Sequence, residues 1–155
     1  MQENRTGRIL AIDLGERRMG LALSDPLGFT AQGLPTAERR NKRQDLNFLE
    51  VLTRRHGVRR VLVGNPLNMD GSAGPQSAKA RAFAEELARR LAQQQVAVEL
   101  WDERLTSVEA HLILDRTGVE KVGRKGAVDQ MAAELLLQRF LDARRVEAPA
   151  GETVP

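Results

Sequence analysis

The chain has 155 residues, a length typical of one domain with its own hydrophobic core. Hydrophobic residues make up 41% of the chain, charged residues make up 29%, and the net charge is +3, as in ordinary globular proteins; no run approaches the ~20 apolar residues of a membrane span. The absence of cysteine excludes disulfides, thiolate zinc sites and cysteine nucleophiles.

The first half of the chain predicts three strands and a helix. Its N-terminal segment, MQENRTGR, lacks the apolar stretch of a signal peptide, which predicts a cytoplasmic protein. RILAIDL (8–14) and GLALSD (20–25) predict an antiparallel hairpin, and GFTAQGLPT (28–36) predicts a third strand that completes a meander. Leucines at helical spacing predict a helix over 42–56 that ends at Gly57.

The second half alternates short apolar segments with amphipathic ones. RRVLVG (59–64) and VAVELW (96–101) are continuously apolar, as expected of strands buried in a parallel sheet. Periodic apolar residues predict helices over 75–91, 106–117 and 125–143.

This order of elements predicts one α/β domain over residues 1–145. We expect a mixed sheet, formed by an antiparallel three-stranded meander plus two parallel strands, with helices on both faces. Residues 146–155, EAPAGETVP and the valine before it, are predicted to form a disordered tail.

Three acidic residues stand where the sheet could bring them together. Asp13 lies near the end of the first strand, Glu103 follows the last strand, and Asp129 lies in the first turns of the final helix. Each has an ordinary alternative: pairing with arginine, solvation, or stabilisation by the helix dipole. Together, three hard oxygen donors with no His or Cys nearby favour Mg²⁺ or Mn²⁺, and two such ions about 3.5–4 Å apart can hydrolyse phosphodiesters.

Four ordered motifs carry a family resemblance: DLGERRMG (13–20), GNPLNMDGS (64–72), DERLTS (102–107) and KGAVDQMAA (125–133). Over essentially residues 7–143 they resemble the YqgF-type Holliday-junction-resolvase-like family. The resemblance implies a ribonuclease-H-like fold, a divalent metal, a nucleic-acid substrate, and Asp13, Glu103 and Asp129 as the catalytic acids. It also implies processing of the 5′ end of pre-16S ribosomal RNA, with cleavage of four-way DNA junctions as the alternative.

Two features depart from the pattern of this family. Asn65 stands in GNP where an apolar residue is expected, so the loop that follows could pack differently or contact the substrate. Nucleases of this fold often have a fourth acid, for which Asp102 and Asp25 are the candidates. The number of bound metal ions therefore stays open.

Basic residues near the acids are candidates for binding the substrate. Arg18 and Arg104 could hold a phosphate through a bidentate contact. Arg104 could equally form an ion pair that fixes the carboxylates. Lys125 lies one helical turn before Asp129, and could contact phosphate or pair with that acid.

Three basic clusters could bind phosphates more broadly, or could simply be solvated: ERRNKR (38–43), RRHGVRR (54–60) and KVGRK (121–125). Within them, Arg43 and Arg60 are the arginines that we single out as possible phosphate contacts.

Two other functions are open from the sequence. A nucleotide-binding module of the actin or sugar-kinase type also begins with Asp-x-Gly, but the turn GERRM lacks hydroxyl groups and 155 residues cannot supply a second lobe. A non-catalytic RNA-binding protein would need no aligned acids, and an aromatic content of 3% offers few stacking platforms. Symmetric junction cleavage requires a two-fold dimer, for which no long amphipathic segment is evident. Structured RNA is therefore the predicted partner, branched DNA the alternative, and the chain is expected to be a monomer or homodimer that does not bind membranes.

Overall fold

The computed structural model describes residues 7–104, 106–118 and 124–152, without the side chains of 107, 124, 125 and 145–152. Within these residues the strands are β1 (Arg8–Leu14), β2 (Arg18–Ser24), β3 (Ala31–Glu38), β4 (Val58–Asn65) and β5 (Ala97–Asp102). The α-helices are α1 (Lys42–His56), α2 (Pro75–Leu91), α3 (Thr106–Thr117) and α4 (Arg124–Glu152). No helix of this described part is long and apolar enough to cross a membrane.

The five strands form one sheet in the order β3-β2-β1-β4-β5. The β1/β2 and β2/β3 pairs are antiparallel, and the β1/β4 and β4/β5 pairs are parallel. The predicted meander with two added parallel strands is therefore confirmed. Because β1, β4 and β5 run in one direction, their carboxyl ends meet at one edge of the sheet, and β2 begins at that same edge.

Helices cover both faces of the sheet, as predicted. Along β1, Leu10 and Ile12 face α1 and α2, whereas Ile9 and Ala11 face α4. This alternation is the ordinary two-residue period of a strand, here with both faces buried. Helix α3 packs against α4, and the buried apolar residues described in it belong to a separate cluster with residues of α4.

Helix α1 has the boundaries that the sequence predicts. The side chain of Asn41 accepts a hydrogen bond from the backbone N–H of Gln44, which caps the first turn. Gly57 ends the helix in the left-handed conformation, with φ of 64°.

Helix α4 is longer than the sequence predicts. It continues to Glu152, so residues 146–152 continue a helical backbone where we expected a disordered tail. This extension includes Pro149, which has no backbone N–H, so it lacks one hydrogen bond of a regular helix. Residues 153–155 of the predicted tail lie outside the described residues.

Candidate active site

Asp13 lies at the carboxyl end of β1, on the face covered by α4. Its partner in the antiparallel ladder is Gly20 of β2. A β-carbon on Gly20 would collide with the backbone of Asp129, so this glycine lets α4 approach the sheet closely. Gly126 of α4, by contrast, has open space around it, and its carbonyl accepts a 2.9 Å hydrogen bond from Thr36.

Hydrogen bonds at both the N–H and the carbonyl of Glu103 hold its backbone in place. Its N–H donates to the carbonyl of Asn65 at 3.2 Å, and its carbonyl accepts from the Thr106 hydroxyl at 2.8 Å. A β-carbon on Gly64 would overlap the Glu103 carboxyl group. The Glu103 side chain therefore lies across the end of β4 and extends toward Asp13.

The carboxyl groups of Asp13 and Glu103 interact directly. Burial raises the pKa of Asp13, and a hydrogen bond with Glu103 lowers it part of the way back. Burial is also the largest cause that raises the pKa of Glu103, followed by the charge of Asp13, the hydrogen bond to it, and the charge of Asp102. Glu103 is therefore the member of the pair that retains a proton.

Asp129 faces the same pair from α4. Burial and the charge of Asp13 raise the pKa of Asp129, while the charge of Arg18 lowers it. The structure thus brings the three predicted acids to one edge of the sheet, with Arg18 beside them.

The donor set suits a hard divalent cation. All three side chains offer carboxylate oxygens, and Oε2 of Glu103 is buried without a hydrogen-bond partner among the described residues. Burying a polar oxygen in this way is costly unless something positive or protonated meets it. In the part of the chain that is described, no three His, Asp or Glu side chains are already arranged to enclose an ion. A shared cation would therefore have to draw these side chains further together.

The family is shown by comparison with known proteins. The family model described as RuvX, Holliday junction resolvase, matches residues 7–143. The chain belongs to this family. A relative from Koribacter versatilis, named "Putative pre-16S rRNA nuclease", is 46% identical and aligns over 91% of this chain and 90% of its own length. A relative of the same name from Myxococcus xanthus is 45% identical, over 89% of both chains.

Solved structures show the same fold in distant nucleases. The RuvC protein of T. thermophilus, in complex with a Holliday junction substrate, is 15% identical and matches 90% of this chain and 96% of its own with a TM-score of 0.51. The Fowlpox virus resolvase, in complex with Holliday junction DNA, is 10% identical over 88% of this chain and 97% of its own, also with a TM-score of 0.51. The predicted ribonuclease-H-like sheet and the prediction of a hydrolytic nuclease are confirmed.

Arg104 of this RuvX-family chain does not point at the three acids. Its Nε donates to Oδ2 of Asp102 at 2.9 Å, and a second guanidinium nitrogen lies 2.8 Å from the same oxygen. Another nitrogen donates to the carbonyl of Met69 at 3.1 Å. Arg104 thus forms a partly exposed ion pair with Asp102, not the pair with the three acids that the sequence offered as an alternative. Its contact with the Met69 carbonyl fastens the loop of residues 66–74 beside the site.

Each candidate for the fourth acid has other partners in the structure. The hydrogen bond from Arg104 is the largest cause that lowers the pKa of Asp102. Asp25 lies at the opposite edge of the sheet because β2 runs antiparallel to β1, and it accepts the N–H groups of Phe29 and Thr30 at 2.7 and 2.8 Å. Those backbone hydrogen bonds, with Thr30 first, lower the pKa of Asp25 and make it a turn residue.

Asn65 and Lys125 are the two other residues that the sequence predicted to bind substrate. Oδ1 of Asn65 accepts a 2.6 Å hydrogen bond from the Ser77 hydroxyl, which ties the end of β4 to α2. Asn65 therefore supports the loop rather than projecting this oxygen toward the acids. Lys125 is the second residue of α4, but its side chain lies outside the described residues.

The basic cluster at 54–60 is not part of the site. Arg60 pairs with Glu99 of the neighbouring strand and lies 5.9 Å from the centre of the Phe140 ring. It stands four residues before Gly64 along β4, away from the edge where the acids meet. Arg60 is therefore engaged within the fold and lies away from the three acids.

The two glycines that make room for the acids were missed by sequence reasoning. Gly20 and Gly64 both occur inside apolar strand segments, where a glycine often marks a close approach of another group. The sequence therefore marks these glycines as sites of close approach. It does not show which groups approach them, because those groups come from distant parts of the chain.

Proposed function

We propose that this nuclease is a divalent-metal-dependent endonuclease in which Asp13, Glu103 and Asp129 are the catalytic acids and hold Mg²⁺ or Mn²⁺. The observation that carries the proposal is the convergence of these carboxyl groups around a buried Glu103 oxygen that has no partner among the described residues. When bound, such ions supply an activated water and stabilise the leaving oxygen of a phosphodiester.

The residues of the chain have separate tasks in this proposal. Asp13 and Glu103 would hold the cation, which requires the Glu103 carboxyl group to be deprotonated. Asp129 closes the site from the α4 side. Arg18, whose charge already acts on Asp129, is placed to hold a phosphate of the substrate. Leu136, which packs beside Gly64, provides an apolar wall that limits water around the Glu103 carboxyl group.

The proposed substrate is the 5′ end of a precursor of 16S ribosomal RNA. Its support is the name shared by the relatives that align over about nine-tenths of both chains. A single copy of the chain would suffice for one cut.

A four-way DNA junction is the second candidate. The family description and the two structural neighbours bound to junctions favour it. Symmetric cutting of a junction would need two sites in a two-fold dimer.

Cleavage assays with two aspartate variants test the proposal. Wild type, Asp13→Asn and Asp25→Asn are incubated with Mg²⁺ or Mn²⁺ on a 16S precursor fragment and, side by side, on a four-way junction. Asp25→Asn is the matched control because it removes an acid from the opposite edge of the same sheet. We expect cleavage of the RNA that falls by roughly 10²-fold or more in Asp13→Asn and is retained in Asp25→Asn.

Other outcomes would redirect the assignment. Full activity of Asp13→Asn would refute the metal site. Paired symmetric nicks in the junction would make the DNA resolvase the preferred function. Tight binding of RNA without metal-dependent cleavage of either substrate would point to a binding protein on a nuclease fold.

A further inference from the structure

A second opening lies on the sheet face opposite to the three acids. It is a cleft of about 410 Å³ between the β1–β2 turn and the N-terminal halves of α1 and α2. We call it the α1/α2 cleft. The residues of its lining that matter here are Gly15, Arg39, Lys42, Gln76, Lys79 and Phe83.

Arg39 is a fixed cation in the wall of this cleft. Its guanidinium donates to Oδ2 of the buried Asp45 at 2.8 Å and to the carbonyl of Gly15 at 2.7 Å. It also lies 5.6 Å from the centre of the Phe83 ring, within the range of a cation–π interaction. A cation held by three contacts loses little further freedom when an anion binds beside it.

Two lysines add positive charge that an anion could recruit. Lys42 of α1 pairs with Glu86 of α2, but the two side chains are 56% and 29% exposed, so the pair is weak and easily exchanged. Lys79 is exposed and has no ion pair with any described residue. Glu16 is the acid among the lining residues, and Asp45 and Glu86 neutralise Arg39 and Lys42 from outside the lining. An anion would therefore gain charge from Lys79 directly and from Lys42 by displacing Glu86.

A residue that lines the cleft is adjacent in sequence to a residue of the candidate active site. Asp13 and Leu14 are consecutive residues of β1, and alternation places Asp13 on the α4 face and Leu14 in the lining of the cleft. Gly15, which begins the β1–β2 turn, follows Leu14 and also lines the cleft. Arg17 and Arg43 are exposed along this edge, and Arg43 belongs to the basic cluster 38–43 that the sequence analysis singled out.

We infer that the α1/α2 cleft binds the phosphate backbone of the RNA substrate several nucleotides away from the cleaved bond. A strand that leaves the acids across the Gly15 turn enters a groove in which a rigid arginine and two exchangeable lysines meet its phosphates. Such contacts are independent of sequence and dependent on salt. The inference rests on the proposed function, because the strand must first pass the three acids.

RNA binding as a function of RNA length tests this inference. We would measure the Kd of the full chain in EDTA, over a salt series, for 16S precursor fragments of about eight and about 24 nucleotides that span the processing site. The test variant is Lys42→Gln/Lys79→Gln. The matched control is Arg81→Gln/Arg89→Gln, which removes two exposed charges of α2 that do not line the cleft.

The test variant should weaken binding of the long RNA about tenfold and reduce its salt slope by about 1.4, which is 0.7 for each of two lost contacts. Binding of the short RNA should change less than about twofold, and the control should bind both RNAs much as wild type does. Equal losses for both RNAs, or equal losses in the control, would overturn the inference.

Cleavage by the wild-type protein separates this inference from the proposed function. If the wild type cleaves the RNA with Mn²⁺ while the test variant binds the long RNA normally, the cleft is refuted and the active site stands. If the wild type neither binds nor cleaves RNA, the proposed function fails and the inference fails with it.

Discussion

The carboxyl group of Glu103 lies so close to the Cα of Gly64 that a β-carbon on residue 64 would overlap its Oε2. The atom in the way is the end of a side chain, which can rotate, although Leu136 lies 3.3 Å from the same β-carbon position and leaves little room. A glycine at position 64 is therefore needed mainly to place the Glu103 carboxyl group, and it matters less for the stability of the sheet.

Gly64→Ala should accordingly lose activity without losing the fold. We expect cleavage to fall by roughly 10²-fold, because the displaced Glu103 no longer meets Asp13, with a loss of stability of about 1 kcal/mol or less. Metal-dependent cleavage and thermal unfolding measure the two effects. Gly126→Ala is the control, since the space around that helical glycine is open and alanine should stabilise α4 slightly. An active Gly64→Ala protein would show that the position of Glu103 is not critical.

Gly20→Ala, in contrast, should lose stability as well as activity. Its β-carbon would meet the backbone of Asp129, which cannot move unless α4 shifts away from β2. We expect a loss of roughly 2–4 kcal/mol in the free energy of unfolding, together with loss of activity. Denaturant unfolding of Gly20→Ala beside Gly64→Ala measures the difference. Similar midpoints for the two variants would contradict the close approach of α4.

The sequence predicted the three acids because their positions follow from strand ends. Asp13 and Glu103 stand at the ends of strands recognisable from their apolar runs, and Asp129 belongs to a motif of the family. The direction of neighbouring side chains was harder to predict. Asp102 and Glu103 are adjacent, and only the register of β5 against β4 decides that Asp102 pairs with Arg104 while Glu103 turns toward Asp13.

Helix α4 shows a second limit of prediction. Its apolar pattern indicates that residues are buried, but not against which element. Met131 and Leu135 pack with α3. Leu136 and Phe140 face the sheet instead. A helix that is covered on two sides has two apolar stripes, and periodicity alone cannot assign each stripe to its partner.

Arg104 should act by fastening the loop of residues 66–74. Arg104→Ala removes the contact with the Met69 carbonyl, so amide exchange should increase at Gly71, whose N–H donates to the carbonyl of Asn68. The free energy of unfolding should change by less than about 1 kcal/mol, because the pair with Asp102 is partly exposed.

Asp102→Asn provides the complementary variant for this loop. If Arg104 works through its ion pair, Asp102→Asn should also speed exchange at Gly71, and Arg104→Lys should restore little because lysine lacks the planar fork. A loss of cleavage in Arg104→Ala with exchange at Gly71 unchanged would instead return Arg104 to the role of a phosphate contact.

Glu103 should make the stability of the metal-free protein depend on pH. Burial raises its pKa, so the folded protein retains a proton that the unfolded chain releases above a pH of about 4.3. The free energy of unfolding should therefore fall as the pH rises from about 5 to 8, since the folded state binds more protons. Glu103→Gln removes this term and should be about 1–2 kcal/mol more stable than wild type at pH 8, with little difference near pH 4.

Unfolding in EDTA across this pH range, with Glu85→Gln as an exposed control from α2, measures the effect. Added Mn²⁺ provides a second comparison at pH 8, because a cation that binds only the folded state stabilises it. Mn²⁺ should stabilise the wild type more than Glu103→Gln, which lacks one carboxylate. The stability advantage of Glu103→Gln over wild type in EDTA should therefore shrink or reverse when Mn²⁺ is added. Parallel pH profiles for wild type and Glu103→Gln would show that Glu103 is not protonated in the folded protein. Equal stabilisation of the two by Mn²⁺ would remove Glu103 from the metal ligands.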